Sequence, residues 1–324
     1  MIPFIQRDGE IQEPPPYSFP GVTIRSYRLV ASWFALNELC DQQLNIGTLE
    51  DRGFIYYPLP FFPLNYVDME VLTYPKLVDE DPNDPFRGFI TQQECYFRYL
   101  VVKYVPFGLL LIPVEFSMFF PYIAVTESWS MITGREVIGL PKLLARIEIP
   151  GYPQDTVVST ETFDSFSGQA ELLWRPMVTI HPFAAGFTST AQPALPWPWV
   201  DLDLAALDPT HLALFEETFA TTGLGAFSTI QLKQFRDASD DQQACYQALL
   251  QAEYGVSNIQ WQGFSLPSKI TIPAYDSLRI ANALGLVQAP GSTAADPFYL
   301  PLWEYTLVCD MTYGNVTTLY QPPG

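Results

Sequence analysis

Apolar and polar positions alternate along much of the chain with a period of two, the period of a β-strand. From Val22 to Val30 the string VTIRSYRLV places Val22, Ile24, Ser26, Arg28 and Val30 on one face, and Thr23, Arg25, Tyr27 and Leu29 on the other. The same reasoning predicts strands at Phe54–Tyr57, Met69–Tyr74, Tyr96–Tyr104, Leu109–Phe116, Ala145–Ile149, Ala170–Trp174 and Tyr305–Met311. Helices are fewer and follow capping residues. Ser32 opens an amphipathic segment through Leu44, with Phe34, Leu36, Leu39 and Cys40 apolar. Asp208 followed by Pro209 opens a helix towards Ala220. Ser239 starts another, with Ala244, Cys245, Ala248 and Leu249 on one side and Gly255 as its stop. A fourth is expected at Ala274–Leu284. Loops are predicted at Asp79–Pro85 and Pro182–Val200. The second contains PALPWPWV and is too apolar for a solvated linker, so it reads either as a surface loop tucking Trp197 and Trp199 onto the body or as a lid.

Composition supports this β-rich reading. Aromatic residues make up 15% of the 324 residues and there are 30 prolines. Aromatic side chains favour half-buried pleated strands, and Pro interrupts them. No internal repeat is apparent. With 16 Lys and Arg against 35 Asp and Glu, the formal charge is -19, and no basic cluster exists to bind a phosphate backbone. Nucleic acid is not an expected partner. The N-terminal residues show no cationic start followed by an apolar run. The longest apolar stretch, Val105–Val114, is broken by Pro106 and Pro113 and is too short to span a bilayer. A soluble cytoplasmic protein with no membrane partner is expected.

Several chemistries are set aside on motif grounds. Cys40, Cys95, Cys245 and Cys309 form no CxxC pair and read as reduced, mostly buried thiols. With only His181 and His211, a histidine metal centre is not expected. Asn315-Val316-Thr317 reads as a turn in a chain without an export signal. Gly223-Leu224-Gly225 lacks the third glycine of a dinucleotide fold, and neither a Walker A string nor a GxSxG elbow occurs.

Lysine remains. There are five: Lys76, Lys103, Lys142, Lys233 and Lys269. Lys142 stands in the mainly apolar string GREVIGLPKLLARIEIP, punctuated by Gly134, Gly139 and Pro141. An isolated lysine in such a setting ordinarily snorkels to water. A desolvated one keeps a fraction of neutral amine that can attack a carbonyl.

The string Pro121-Tyr122-Ile123-Ala124-Val125, followed after eight residues by Gly134-Arg135-Glu136-Val137-Ile138-Gly139-Leu140-Pro141-Lys142, resembles the acetoacetate decarboxylase superfamily: a Tyr-rich strand, then GRE, a short spacer and GxPK. PYSFPG with ASWFALNEL, and KQFRDA in STIQLKQFRDASDDQQACYQALL, are similar at lower specificity. The resemblance implies an α+β, β-dominated fold: a closed cone-shaped β-barrel with flanking strands and a few helices. It would form a single domain over residues 1–324, with a Pro/Trp-rich insertion near 182–200 and a helical excursion near 206–254. It also implies a lyase that uses no cofactor, with Lys142 as the Schiff-base lysine acting on a small keto acid or related carbonyl compound, and a homo-oligomer. That desolvation or a second cation can activate such a lysine is a known property of this family's decarboxylase, and is carried over here.

The departures bear on mechanism. The second lysine that follows the nucleophile in the decarboxylases is Leu143 here. The family's first-strand arginine matches Val22; Arg25 points to the other face, and Arg28 lies about 20 Å along at roughly 3.3 Å per residue. One family glutamate falls between Lys103 and Phe107, where no carboxylate stands; Glu94 and Glu115 are the nearest outside that window. The other matches Glu70, read either as a catalytic pocket group or as an outward strand charge. Arg135 and Glu136, with Gly139 and Pro141, are expected to support the turn before Lys142. Two functions follow: a lyase that decarboxylates β-keto acids or performs aldol condensation and dehydration, or a catalytically silent barrel that binds an apolar or keto-acid-like small molecule. If Lys142 is catalytic, most of the acids are expected to lie elsewhere.

Overall fold

The two-residue period is realised as twelve strands, numbered here in chain order. The computed structural model describes residues 5, 14–59, 64–80, 88–183, 226–264, 268–293 and 296–322. The strands are β1 (Tyr17–Ser32), β2 (Ile55–Pro58), β3 (Leu64–Asp79), β4 (Phe89–Phe107), β5 (Leu110–Val125), β6 (Lys142–Glu148), β7 (Thr156–Thr162), β8 (Leu173–Pro182), β9 (Ala226–Arg236), β10 (Ala244–Phe264), β11 (Ser268–Thr271) and β12 (Trp303–Tyr320). Helices α1 (Trp33–Gln43), α2 (Leu49–Arg52), α3 (Ser128–Thr133) and α4 (Ile280–Ala283) join a π-helical turn over Gly134–Ile138. No helix among the described residues is long and apolar enough to cross a membrane.

Pairing runs β5-β9-β10-β12-β1-β3-β4 and returns from β4 to β5, so these strands close a ring. β4 occupies one edge of β5 along most of its length, from Glu94 opposite Val125 to Phe107 opposite Leu110. The other edge is shared. Ser117–Phe119 pair with β9 and close the ring, whereas Ile123–Val125 pair with β6 and begin the flanking sheet β6-β7-β8-β11. β5 is therefore the branch point, and the segment before β6 must fit where β6 and β9 part.

Strands buried on both sides explain the high apolar content. On β4, Tyr96 packs inside the ring with Leu72, Tyr74, Phe120, Tyr254, Leu307 and Met311. Its alternate residues Cys95, Phe97, Tyr99 and Val101 pack outside, against Leu36 and Leu39 of α1, Ile280 of α4 and Ile147, Val178 and Ile270 of the flanking sheet. β1 divides the same way: Val22, Ile24 and Ser26 are buried on one face, and Tyr27, Leu29 and Ala31 on the other.

Most predicted strands are present, and α1 has Leu36, Leu39 and Cys40 buried as its spacing requires, with Phe34 exposed. Ser32 holds the N-cap position without a side-chain cap; its backbone N–H donates to the Gly285 carbonyl at 2.8 Å. Several expectations are corrected, among them the turn at Asn315-Val316-Thr317, which lies within β12. The helix from Ser239 to Gly255 is instead the hairpin turn and first half of β10. The Asp237 carboxylate accepts from both the N–H and the hydroxyl of Ser239, which makes a turn of the residue read as a cap. Ala248, Leu250, Ala252 and Tyr254 then alternate between β9 and β12, so ring closure overrides helix propensity. Within the helical excursion near 206–254, the described residues 226–236 and 244–254 are strand. β8 begins only at Leu173, and Ala274–Leu284 holds the single helical turn α4. Residues 184–200, the Asp208–Ala220 helix, His211, Gly223–Gly225 and residues 81–85 lie outside the described residues. Cys40, Cys95 and Cys309 are buried free thiols and Cys245 is exposed.

Glu304 on β12 ties the ring to the flanking sheet. Its carboxylate accepts from the Ser268 N–H at 2.5 Å and the Ser268 hydroxyl at 3.0 Å. Burial pushes the carboxyl up to about 7, against the lowering effect of the Ser268 bonds. The folded state thus holds a proton that the unfolded chain releases above its ordinary carboxylate range, so the stabilisation present below that range is lost as pH rises through about 7. Stability measured by urea denaturation is expected to fall by about 3 kcal/mol between pH 4.5 and 8 relative to Glu304→Gln, which lacks this group. Parallel pH profiles for the two proteins would contradict the assignment.

Candidate active site

Lys142 is delivered by the segment that leaves β5. Helix α3 runs into the π-helical turn, which closes with Leu140 N–H donating to the Gly134 carbonyl at 2.8 Å. Gly139 follows in the left-handed region at φ 82°, and a Cβ there would stand 2.7 Å from the Lys233 Cβ and 3.0 Å from its Cα. Glycine is thus required twice at this position, for the backbone conformation and for the approach to β9. A Cβ on Gly134 would lie 2.5 Å from Lys142 Cδ. Pro141 is exposed and leads into β6. Arg135 donates to the Lys142 carbonyl at 3.4 Å, a backbone contact of the kind expected of it; burial lowers the Lys233 ammonium below its ordinary range, and nearby Glu136 opposes that shift.

Register does the rest. Tyr96, Ile123 and Lys142 occupy one row across β4, β5 and β6, and Glu94 stands two residues before Tyr96 on the same face. Lys142, 7% exposed, points into a cavity of about 60 Å³ lined by Glu94, Gln92, Ser130 and the rings of Tyr74, Tyr96, Phe120 and Trp129. Its Nζ donates to Ser130 Oγ at 3.0 Å and lies 3.6 Å from Glu94 Oε2. Gln92 Nε2 donates to the same carboxylate oxygen at 3.3 Å. Burial pushes the Glu94 carboxyl above its usual range, and the Lys142 ammonium opposes that shift. The same burial holds the phenols of Tyr74 and Tyr96 neutral. Among the described residues, no group of three or more His, Cys, Asp or Glu is arranged to hold a metal ion.

Glu70 lies further along the inside of the ring. It is 1% exposed, so it is not an outward strand charge, and it is absent from the described lining of the cavity. Its carboxylate pairs with Arg98 Nη2 at 2.7 Å and accepts from Ser26 Oγ at 3.2 Å and from the Tyr96 hydroxyl. Tyr96 therefore stands between Glu70 and the cavity. Val22 is fully buried apolar wall; Arg28 pairs with Asp68 at 2.6 Å and stacks over Trp303, committed away from the site. Leu143 packs on the outer cluster, its side chain turned from the cavity.

Glu94 is the one carboxylate among the described lining of the cavity, and it faces Lys142 directly. Motif matching missed Glu94 by fixing attention on Lys103–Phe107. Strand period could have found it: Gln92, Glu94, Tyr96 and Arg98 alternate on one face of β4, an unusual run of polar groups on a strand whose other face is apolar. Ser130 carried no sequence signal. A methyl group at Gly134 should gain about 1 kcal/mol of helix propensity but crowd the enclosed lysine stem, at a cost of about 1–3 kcal/mol. Gly134→Ala is therefore expected to lose on the order of 1 kcal/mol in urea denaturation. Gly151→Ala, with nothing within 4 Å, should stay within about 0.5 kcal/mol. A stabilised Gly134→Ala would contradict this packing.

No protein-family model matches the chain, and no curated protein matches it in sequence. Solved structures do match. The acetoacetate decarboxylase of Legionella pneumophila aligns over 95% of this chain and 88% of its own, with 13% identity and a TM-score of 0.52. An acetoacetate decarboxylase-like enzyme from Sphingomonas wittichii RW1 aligns over 98% of both chains at 13% identity and a TM-score of 0.48. The enduracididine biosynthesis enzyme MppR aligns over 96% of this chain and 90% of its own at 12% identity and a TM-score of 0.47. With its closed ring and the flanking sheet that branches from β5, the chain has the fold of the acetoacetate decarboxylases.

Proposed function

We propose that the chain is a Schiff-base lyase in which Lys142 condenses with a keto acid or a related small carbonyl compound. The observation that carries this reading is a lysine 7% exposed, directed into an aromatic cavity, with a carboxylate 3.6 Å from its Nζ. Glu94 takes a proton from the ammonium, and the neutral amine attacks the carbonyl carbon, forming the C–N bond of a carbinolamine. The protonated Glu94 returns that proton to the carbinolamine oxygen, then takes a second proton from the attacking nitrogen and passes it to the resulting hydroxyl, which leaves as water. The resulting iminium is an electron sink. From a β-keto acid, the electrons of the bond to the carboxylate flow into it and carbon dioxide departs. From a substrate with an α-hydrogen, Glu94 removes that proton and the enamine is free for aldol chemistry. Hydrolysis then frees ketone and lysine. A carboxyl raised by burial suits this shuttle, because it can hold the proton between steps.

Glu70 enters at one remove in this proposal, as a positioning residue that accepts the hydrogen bond of the Tyr96 hydroxyl. Arg135, Glu136, Gly139 and Pro141 hold the turn that presents Lys142. The second reading is a silent binding barrel. It is favoured by Leu143 and Val22, which stand where the family keeps a lysine and an arginine.

Incubation with acetoacetate or pyruvate under cyanoborohydride is expected to place a reduced adduct on the peptide carrying Lys142, and none there in Lys142→Arg, as read by mass spectrometry. Glu94→Gln is expected to slow adduct formation by about 10²- to 10⁴-fold, the usual contribution of a general acid–base group. Release of carbon dioxide distinguishes decarboxylation from aldol chemistry. If no carbonyl compound labels that peptide between pH 6 and 9, the silent barrel stands instead.

A further inference from the structure

The hairpin that joins β4 to β5 ends in an apolar arm. Residues 104–114 carry no charged side chain, in a chain whose formal charge is -19. At the base of the arm Lys103 and Glu115 stand opposite each other and pair at 3.6 Å. Beyond them Phe107, Leu109, Leu110 and Val114 are 72%, 105%, 67% and 55% exposed, and Leu111 and Ile112 are exposed as well, as is Phe116 beside the base. Apolar surface continues below the arm as a row of rings. Between ring centres, Tyr104 meets Tyr57 edge-on at 5.7 Å, Tyr57 stacks on Trp33 at 6.5 Å, and Trp33 meets Phe34 of α1 at 5.8 Å. Phe34 is 59% exposed.

The size of this face limits what can cover it. At about 150–200 Å² for a fully exposed large side chain, the arm and Phe34 together present on the order of 800 Å². The largest apolar patch of an ordinary monomer is about 300–600 Å². Each partner in a standard stable complex contributes about 800 Å².

The arm also leaves a sheet edge open. On the edge away from β4, β5 is paired with β9 from Ser117 and with β6 from Ile123, and among the described residues no strand pairs with residues 110–116 there. Lipid fits such an arm poorly. Hydrocarbon cannot satisfy the backbone groups of an open edge, and the cation at the base, Lys103, is already taken by Glu115 rather than offered to a headgroup. A protein strand answers both the edge and the apolar faces. A second copy of this chain does so without like-charge repulsion at the contact, because each copy brings the same uncharged face. A two-fold axis beside the edge makes such a pairing antiparallel of necessity. Pro113 removes one donor from the strand, so side-chain burial supplies most of the contact.

We propose that the β4–β5 arm and the row of rings below it form the contact between two copies of this chain, related by a two-fold axis. The contact rests on no part of the chemistry at Lys142.

Sedimentation equilibrium of the full chain at about 1–50 µM reads it, since interfaces of this size bind with micromolar or tighter affinity. The wild type is expected at twice the mass of one chain or an even multiple of it. Leu109→Gln with Leu110→Gln, polar but uncharged so that repulsion adds nothing, is expected to bring that mass down by half or more. Phe34→Gln, on a different element, should weaken the association by about 10-fold or more. Phe166→Gln, an equally exposed ring in the loop after β7, should leave the mass unchanged, and far-ultraviolet circular dichroism checks that each variant folds. A mass that survives the arm and Phe34 substitutions, or that falls as far with Phe166→Gln, overturns the proposal. A monomeric wild type overturns it too, and phosphatidylcholine vesicles then separate the alternatives: flotation with them assigns the arm to lipid, and failure to float leaves it to a different protein or to the remaining residues of the chain.

Discussion

An ammonium and a carboxylate facing each other inside a ring of apolar strands form the constraint on which this structure depends. At 3.6 Å the attraction between Lys142 and Glu94 is about 5 kcal/mol at an effective dielectric constant of about 20. That is comparable with the several kcal/mol each ion loses on leaving water. Such a pair holds only if both partners arrive in fixed positions and their remaining hydrogen-bonding capacity is met. Ser130 answers the ammonium and Gln92 the carboxylate. Position is set by register: the row Tyr96, Ile123, Lys142 is fixed by pairing on both edges of β5, and Gly134 and Gly139 let the connecting turn close onto the lysine stem and onto β9.

A second buried pair keeps the first one simple. Glu70 and Glu94 both face the inside of the ring, on neighbouring strands, and two carboxylates sharing one lysine would drive one of them to take up a proton. Arg98, two residues beyond Tyr96 on the same face of β4, satisfies Glu70 at 2.7 Å. Tyr96 stands between the pairs, its hydroxyl given to Glu70 and its ring to the cavity wall. Each cation thus has its own carboxylate, and Glu94 is left to Lys142. The ring interior is divided into an ionic part built on β3 and β4 and an aromatic part that opens around the lysine.

Much of this was legible in the chain, and the failures have physical causes. Period two located most strands because both faces are buried in turn, and the GRE and GxPK strings located the lysine, because the turn they form tolerates few other residues. The helix expected after Ser239 failed because Gln, Ala and Leu are good helix formers and their local preference is silent about ring closure. Ser239 also looks like a cap whether its neighbour Asp237 builds a turn or not. For Glu70 the sequence left a pocket group and an outward strand charge equally open, and its commitment to Arg98 depends on pairing between β3 and β4 that no local string encodes. Glu94 lay outside the Lys103–Phe107 window that the resemblance assigned to a glutamate, although the alternation Gln92, Glu94, Tyr96, Arg98 carried the information.

No second cation follows Lys142 in this chain: the next residue is Leu143, turned outward, and the charged group beside the lysine is Glu94. A neighbouring cation would drive protons off the lysine but could not receive them. A carboxyl at 3.6 Å does the reverse: it attracts the ammonium and, in the proposed reaction, is the group placed to accept its proton. The resting charge of the pair is zero. In the proposed reaction imine formation would preserve that value, since an iminium would replace the ammonium, and a neutral ligand would leave it unchanged throughout. An anionic ligand would carry net negative charge into an apolar enclosure within a chain already at -19, with no free cation among the described lining to meet it.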